Sequence, residues 1–205
     1  MHAWRNVALR ELFQMKREQV MRLLWSSGLL ALALIPGIST AAEFQLTSPT
    51  IKPASTISQT HVFDGFGCTG NNVSPELRWA NAPKGTKSFA VTVYDPDAPT
   101  GSGWWHWVIF NIPEDISALA ADAGRPGGPS APQGSVQSMT DFGEPGYGGP
   151  CPPAGHKPHR YIFTIYALKV EQLSLKPATP AAMVGFYLNQ NALAKASFTG
   201  LYSRK

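Results

Sequence analysis

Cysteine, charge and long apolar runs are all scarce in this sequence of 205 residues. It contains 2 cysteines, and Asp, Glu, Lys and Arg together make up 15% of the chain. The sequence has no GxSxG motif of the kind that positions a nucleophilic serine, and no stripe of Lys and Arg. These absences argue against a serine hydrolase and against a nucleic-acid-binding protein. The 43% of hydrophobic residues are sufficient for one domain with a buried core.

The first 42 residues differ in composition from the rest of the chain. Basic residues precede a short apolar run at residues 23–35, and small residues follow it. This order is typical of a secretory signal, and the run is shorter than the roughly 20 residues of a membrane span. We expect cleavage after Ala41 or Ala42 and one exported domain, periplasmic or secreted, over residues 43–205. An uncleaved membrane anchor is the alternative.

The predicted signal also carries most of the net charge. Five of the 17 Lys and Arg residues and two of the 13 Asp and Glu residues precede residue 43, which leaves 12 and 11. The charge therefore falls from +4 for the whole chain to +1 for the mature one. The mature chain gives no reason to expect a nucleic acid partner. The stretch before the apolar run is long for a signal, so the true start codon stays open.

Both cysteines, Cys68 and Cys151, lie in the mature part of the chain. In an oxidising compartment an even number of cysteines favours a disulfide. A metal site would need further thiols or a histidine at ligand spacing, and the segment CPPAGH matches no known zinc motif. We therefore predict a disulfide between these two residues, and neither a metal nor another cofactor.

Apolar segments of strand length dominate the mature chain. Residues 88–95 (SFAVTVYD), 104–112 (WWHWVIFNI) and 160–170 (RYIFTIYALKV) are almost continuously apolar. Such runs are typical of strands that are buried on both faces. Residues 43–46 and 73–79 are candidates for shorter edge strands. Strands separated by turns predict a mainly β domain, either a sandwich or a barrel.

Two segments outside these strands have a distinct character. Residues 123–158 are rich in Gly and Pro and include Phe142 and Tyr147, which predicts an ordered loop with a functional role. Near the C-terminus, Thr179 followed by Pro180 is typical of a helix start. We expect one amphipathic helix through the sequence AAMVGFYLNQNALAKASF, with a buried face that comprises Met183, Phe186, Tyr187 and Leu193.

A histidine lies at or near the start of two of the apolar segments. Residues two apart share a face of a strand, so His159 and Tyr161 point the same way. By the same rule Trp104, His106, Val108 and Phe110 share one face of their strand, while Trp105, Trp107 and Ile109 share the other. We expect the histidines and the tyrosine to meet at the mouth of one pocket.

The neighbouring loops supply complementary groups. The segment DPDAP carries Asp95 and Asp97, and the glycines of YGGPCPP allow a close backbone approach. Imidazolium, tyrosine hydroxyl and backbone N–H groups suit a phosphate or carboxylate, and an aspartate suits an ammonium group. A zwitterionic ligand with phosphate and ammonium is therefore chemically coherent. The alternatives are buried structural histidines, a metal site built from Asp and His, and a histidine that acts as a general base.

Several motifs resemble the phosphatidylethanolamine-binding protein family, which includes the Raf kinase inhibitor-like proteins. They are DPDAP with WHW, GGPCPPAG with HRYIFTIYAL, and, as in the bacterial branch, GNNVSPELRW and TDFGEPGYGG. With the final helix, the resemblance covers nearly all of the mature chain. It implies a β-sandwich with a C-terminal helix, a long Gly/Pro-rich pocket loop and a small anion-binding cavity.

The resemblance also implies the residues of the pocket. It assigns ligand binding to Asp95, His106, Gly149, Pro150, His159 and Tyr161, with Asp97 and Pro153 close by. It makes Ala98–Pro99 a candidate for a cis peptide bond. We therefore expect a non-catalytic protein that binds a small anionic or zwitterionic ligand such as phosphoethanolamine. The alternative is a modulator of another protein, such as a protease, that acts through its surface loops. An exported chain cannot meet a cytosolic kinase, so the kinase-inhibitor role is not expected.

Overall fold

The computed structural model describes residues 42–205, which form ten β-strands, one 3-10 turn and one α-helix. In chain order the elements are β1 (Gln45–Thr47), the 3-10 turn (Gln59–His61), β2 (Asp64–Gly65), β3 (Cys68–Thr69), β4 (Leu77–Ala80), β5 (Ser88–Asp95), β6 (Trp104–Pro113), β7 (Ala118–Leu119), β8 (Val136–Gln137), β9 (His159–Leu168), α1 (Ala181–Asn191) and β10 (Ala192–Tyr202). The three long strands predicted from apolar runs are thus present, and the mainly β fold class is confirmed.

Two antiparallel sheets pack face to face as a sandwich. The larger sheet has the strand order β10–β9–β5–β6–β8, and the smaller one has the order β1–β4–β7. Strands β2 and β3 form a separate short hairpin. The predicted signal at residues 1–42 lies, except for Ala42, outside the described residues. Within those residues, no helix is both long and apolar enough to cross a membrane.

The larger sheet is covered on both faces, which explains the continuous apolar runs in its central strands. On one face, Val93, Ile109 and Phe163 pack against Leu77 and Trp79 of the smaller sheet. The other face packs against α1 through a second cluster, listed here in full: Ala90, Val108, Phe110, Tyr166, Leu168, Leu173, Ala181, Val184 and Leu188. Burying such side chains supplies the main favourable free energy of folding.

The C-terminal helix differs from its prediction in start, length and buried face. It begins at Ala181 without a side-chain cap, because the residue at the N-cap position is Pro180. The hydroxyl oxygen of Thr179 accepts a hydrogen bond from the backbone N–H of Lys176 at 3.1 Å. It ends at Asn191, and the remainder of the predicted helix is strand β10, which pairs with β9 along its length. The predicted face is wrong: the exposed apolar side chains include Met183, Phe186, Tyr187 and Leu193. The buried residues are Ala181, Val184, Gly185 and Leu188.

A β-bulge in β6 changes the predicted faces of that strand. Val93 pairs with Trp107 and Tyr94 pairs with Trp105, so His106 is an extra residue without a partner in β5. Trp107 therefore packs in the core between the sheets, whereas Trp105 packs on the helix side. The prediction that these two tryptophans share a face is wrong, and so is the grouping of His106 with Val108.

The predicted disulfide is present between Cys68 and Cys151, whose Cα atoms are 6.0 Å apart. It joins the β2–β3 hairpin to the loop that leads into β9. The hairpin and this loop are 83 residues apart in sequence and carry residues of the same cavity. The disulfide therefore helps to fix the wall of the candidate site.

Candidate functional site

A cavity of about 160 Å³ lies at the end of the sandwich where β5 ends and β6 and β9 begin. Its polar lining residues are Asp95, Thr100, His106, His159 and Tyr161. Its other lining residues are Phe66, Ala98, Pro99, Trp104, Phe142, Cys151, Pro152 and Pro153. The structure thus brings together five of the predicted ligand residues: Asp95, His106, Pro153, His159 and Tyr161.

Asp95 and His159 form a buried pair in the cavity wall. The Nδ1 atom of His159 lies 2.8 Å from Oδ2 of Asp95, and the two side chains are each 4% exposed. The other carboxylate oxygen of Asp95 accepts the backbone N–H of Asp97 at 2.8 Å. Both oxygens are therefore used within the protein, and the carboxylate orients the imidazole ring so that its Nε2 points away from Asp95.

His106 is held by the loop that crosses the mouth of the sandwich. Its Nδ1 donates a hydrogen bond to the carbonyl oxygen of Gly148 at 2.7 Å. Burial lowers the pKa of His106 to about 4, although the bond to Gly148 opposes the shift. The ring is therefore neutral at pH 7, and its Nε2 is a lone-pair acceptor until a proton is taken up.

Tyr161 supplies an unpartnered hydroxyl group in the same wall. The residue is 1% exposed, and within residues 42–205 its Oη makes no hydrogen bond of standard geometry. Burial raises its pKa, and the charge of Asp95 and a weak interaction of the hydroxyl with the Asp95 carboxylate add to the shift, so the hydroxyl stays protonated. Its ring meets that of His106 edge to face, with centroids 5.1 Å apart. An unsatisfied buried donor costs about 1–3 kcal/mol, which a ligand acceptor would recover.

Asp97 does not line the cavity but binds Arg160 next to it. Its carboxylate accepts hydrogen bonds from Nε and Nη2 of Arg160 at 2.9 and 2.7 Å and from the backbone N–H of the same residue at 2.9 Å. The bond from the Arg160 side chain lowers the pKa of Asp97 to about 2. The pair ties the DPDAP loop to the start of β9. The Ala98–Pro99 peptide bond in this loop is trans, so the expected cis bond is not observed.

Gly149 and Pro150, which are predicted to bind the ligand, are not among the residues that line the cavity. The N–H of Gly149 donates to Oδ1 of Asn72 at 2.8 Å, and the carbonyl oxygen of Pro150 accepts the N–H of Phe63 at 3.1 Å. A Cβ atom on Gly149 would lie 2.1 Å from the carbonyl oxygen of His61, so no larger residue fits. These two residues instead join the pocket loop to the segment before β2.

An aromatic wall was missed by the sequence predictions. Phe142 lies 5.9 Å from Phe66 in a nearly parallel arrangement and 5.5 Å from Trp104 edge to face, measured between ring centroids. Phe66 is 67% exposed and has a φ of 50°, a left-handed conformation that is uncommon outside glycine. The one available signal was its position in GFGC, beside a cysteine of the disulfide. These three aromatic residues give the cavity an apolar surface in addition to its polar groups.

Comparison with known proteins identifies relatives over most of the chain. The family model described as "Phosphatidylethanolamine-binding protein" matches residues 47–203. The Escherichia coli protein YbcL, of the UPF0098 group, is 52% identical over 85% of this chain and 95% of its own. Its crystal structure, described as that of a new member of the mammalian PEBP family, superposes with a TM-score of 0.79 at 54% identity and covers 80% of this chain and 100% of that one.

Two other relatives are also similar over most of the chain. Escherichia coli YbhB, also of the UPF0098 group, is 47% identical over 78% of this chain and 99% of its own. The Mycobacterium tuberculosis protein named "Putative lipoprotein LppC" is 33% identical over 80% of this chain and 79% of its own. The residues matched by the family model, 47–203, include every residue that lines the cavity.

Proposed function

The chain belongs to the phosphatidylethanolamine-binding protein family, and we propose that it is a non-catalytic binding protein for small anions attached to an organic group, such as the phosphoethanolamine head group of a lipid. The observation that carries this proposal is the unpartnered hydroxyl of Tyr161 beside His106 in one cavity. A buried donor without a partner is uncommon, and a ligand acceptor is the simplest partner for it.

The polar side of the cavity favours a negatively charged oxygen. Tyr161 offers an O–H donor, and His106 offers an N–H donor once its Nε2 is protonated. The carboxylate of Asp95 would repel an anion, but its pairing with His159 offsets that repulsion. Because hydrogen bonds to charged groups are stronger than those between neutral groups, such an anion gains more than a neutral ligand would.

The apolar side of the cavity favours the organic part of the ligand. Each oxygen of Asp95 already accepts one hydrogen bond and the carboxylate is paired with His159, so Asp95 is a weaker partner for the ammonium group than the sequence predicts. The ring faces of Trp104 and Phe142 are a better place for an ammonium group, since aromatic faces attract cations. We therefore expect phosphorylethanolamine to bind more tightly than inorganic phosphate.

The lining residues argue against catalysis by nucleophilic attack. Cys151 is part of the disulfide, and the hydroxyl of Thr100 donates to the carbonyl oxygen of Gly103 at 2.5 Å. The raised pKa of Tyr161 keeps its oxygen protonated and weakly nucleophilic. A nucleophile is activated by a hydrogen bond to an adjacent general base, and neither Cys151 nor Thr100 makes such a bond.

We propose that the protein is exported, either to the periplasm or to the outside of the cell. Support comes from the signal-like composition of residues 1–42, from the disulfide and from the name of the mycobacterial relative. Intact mass measurement of the protein purified from a periplasmic fraction tests this proposal. A mass that includes the first 42 residues would contradict it.

The alternative role as a modulator of another protein through residues 123–158 has less support. Much of that loop is used inside the molecule: Ser138 and Thr140 are buried, and Tyr147 donates its hydroxyl to the carbonyl oxygen of His61 at 2.9 Å. A surface for a partner protein would have to come from the remaining, exposed part of the loop. We therefore place the function in the cavity.

NMR titration of the mature protein with phosphorylethanolamine tests the binding function. We expect shifts at His106, His159 and Tyr161, and about tenfold or greater loss of affinity in Tyr161→Phe, because that change removes only the donor to the anion. Tyr166→Phe is the matched control, since Tyr166 lies in the core on the helix side. Unchanged affinity in Tyr161→Phe, or shifts confined to other regions, would contradict the proposal.

A further inference from the structure

His156 makes a contact that the proposed function does not use. Its Nδ1 lies 3.2 Å from Nε2 of His159, and the ring centroids are 5.4 Å apart. His159 borders both the anion cavity and a shallow surface depression lined by His156, Lys157 and Arg160. His156 is exposed, whereas His159 is buried. The contact therefore joins a surface residue to the cavity through one imidazole ring.

This contact uses the second ring nitrogen of His159. Its Nδ1 already bonds to Asp95 at 2.8 Å, so Nε2 is the atom left for any other partner. With both rings neutral, His159 carries its proton on Nδ1, and His156 donates its Nδ1–H to Nε2 of His159. If His159 is protonated on both nitrogens, its Nε2–H donates to Nδ1 of His156, which then carries its own proton on Nε2. In either state, His156 occupies Nε2 of His159, a residue that itself lines the cavity.

We propose that His156 competes with the anionic ligand for Nε2 of His159 and so sets the affinity of the cavity. This inference rests on the proposed function of the cavity. A phosphate or carboxylate oxygen needs an N–H donor, and His159 can supply one only when its Nε2 is protonated and His156 has turned away. Binding thus exchanges the bond between the two histidines for a charge-assisted bond to the ligand.

The surroundings of His156 allow this exchange. Its side chain has the bond to His159 as its one hydrogen bond among residues 42–205, and its backbone N–H bonds to the carbonyl oxygen of Pro153 at 3.3 Å. The preceding Gly155 has a φ of 77°, which suits a tight turn. The charged and titratable groups around the histidine pair are Asp95, Asp97, Lys157, Arg160, His106 and Tyr161.

Calorimetric titration with phosphorylethanolamine compares the wild-type protein with His156→Ala and Lys157→Ala. Because His156→Ala removes one competing hydrogen bond, we expect its affinity to rise about two- to tenfold at pH 7. Lys157→Ala removes a neighbouring positive charge without touching His159, and its affinity should stay the same or fall. Equal or weaker binding by His156→Ala would show that His156 does not compete, and would overturn the inference while wild-type binding still supports the proposed function.

A ligand-free measurement tests the contact itself. In ¹⁵N NMR of the imidazole rings, we expect the Nε2 signal of His159 to report its bond to Nδ1 of His156 and to shift in His156→Ala. A His159 Nε2 signal that is the same in the two proteins would overturn the inference. Absence of binding by both the wild-type protein and His156→Ala would overturn the proposed function, and the competition with it.

Discussion

Binding of a fully deprotonated anion such as sulfate is expected to protonate His106. The ring is buried and neutral at pH 7, with its proton on the Nδ1 that bonds to Gly148. An anionic oxygen beside the lone pair of Nε2 would be repelled, so His106 must be protonated before it can donate. The bound anion therefore raises the pKa of His106, and the proton and the anion bind cooperatively.

The sign and size of the effect follow from the lowered pKa. In the free protein His106 is unprotonated above pH 4, because burial lowers its pKa to about 4. Affinity for the anion should rise as the pH falls from the pKa of the bound state, and level off near the pKa of the free state. Each pH unit within this window is worth about 1.4 kcal/mol, or tenfold. Between pH 7 and pH 5 the gain is up to about 100-fold.

Calorimetry with sulfate and with phosphate separates the two possible sources of the proton. Sulfate stays a dianion over this range, so its binding must follow His106, whereas phosphate can bring its own proton, with a pKa near 6 for phosphate esters. Titrations in two buffers with different heats of ionisation give the number of protons taken up. His106→Gln keeps an N–H donor but cannot titrate, so its sulfate affinity should lose the part of the pH dependence that comes from His106. Sulfate affinity that is flat from pH 5 to pH 7, with no proton uptake, would refute the reasoning.

The disulfide, the core and the DPDAP loop each have an expected response to mutation, measured by urea unfolding. Replacing Cys68 and Cys151 with Ser should cost about 4 kcal/mol in the chain-entropy model, because the bridge closes a long loop; an unchanged midpoint would contradict this. Phe163→Ala should cost about 3–5 kcal/mol because Phe163 is fully buried. The exposed Phe186→Ala, its control, should stay within about 0.5 kcal/mol. Asp97→Asn should cost about 1 kcal/mol or less at pH 7, since its ion pair is largely exposed. As pairing lowers the pKa of Asp97 to about 2, that cost should persist at pH 4 and disappear as the pH falls through 2; a cost already lost at pH 4 would contradict it.

The sequence predicted the central strands because their burial is extreme. Strands β5 and β6 are buried on both faces along most of their length, and β9 is so along its second half, so their apolar residues form continuous runs that need no knowledge of their partners. Short strands such as β7 and β8 have 2 residues each and no such pattern. They exist because a longer strand offers them backbone hydrogen bonds, and that information lies elsewhere in the chain.

The helix begins one residue after its predicted start, and its predicted buried face and end are wrong. Ala181, Val184, Gly185 and Leu188 follow the i, i+3, i+4, i+7 spacing of a buried helix face, so the signal was present. The larger Phe186 and Tyr187 drew the prediction to the exposed side. Beyond Asn191 the residues Ala, Leu and Lys favour a helix, but pairing with the whole of β9 outweighs that local preference.

The candidate site shows which part of a pocket a sequence pattern can and cannot predict. The residue types at Asp95, His106, His159 and Tyr161 indicated polar chemistry at strand ends, and the structure brings them together. The direction of His106 was not predictable from alternation, because the bulge adds one residue to β6 between the partners of Val93 and Tyr94. Without that extra residue, alternation would put His106 and Trp107 on opposite faces; with it, His106 contacts Tyr161 and Trp107 contacts Tyr147, both in the core between the sheets. The bulge therefore lets one strand supply both a core tryptophan and a cavity histidine on the same face of the sheet.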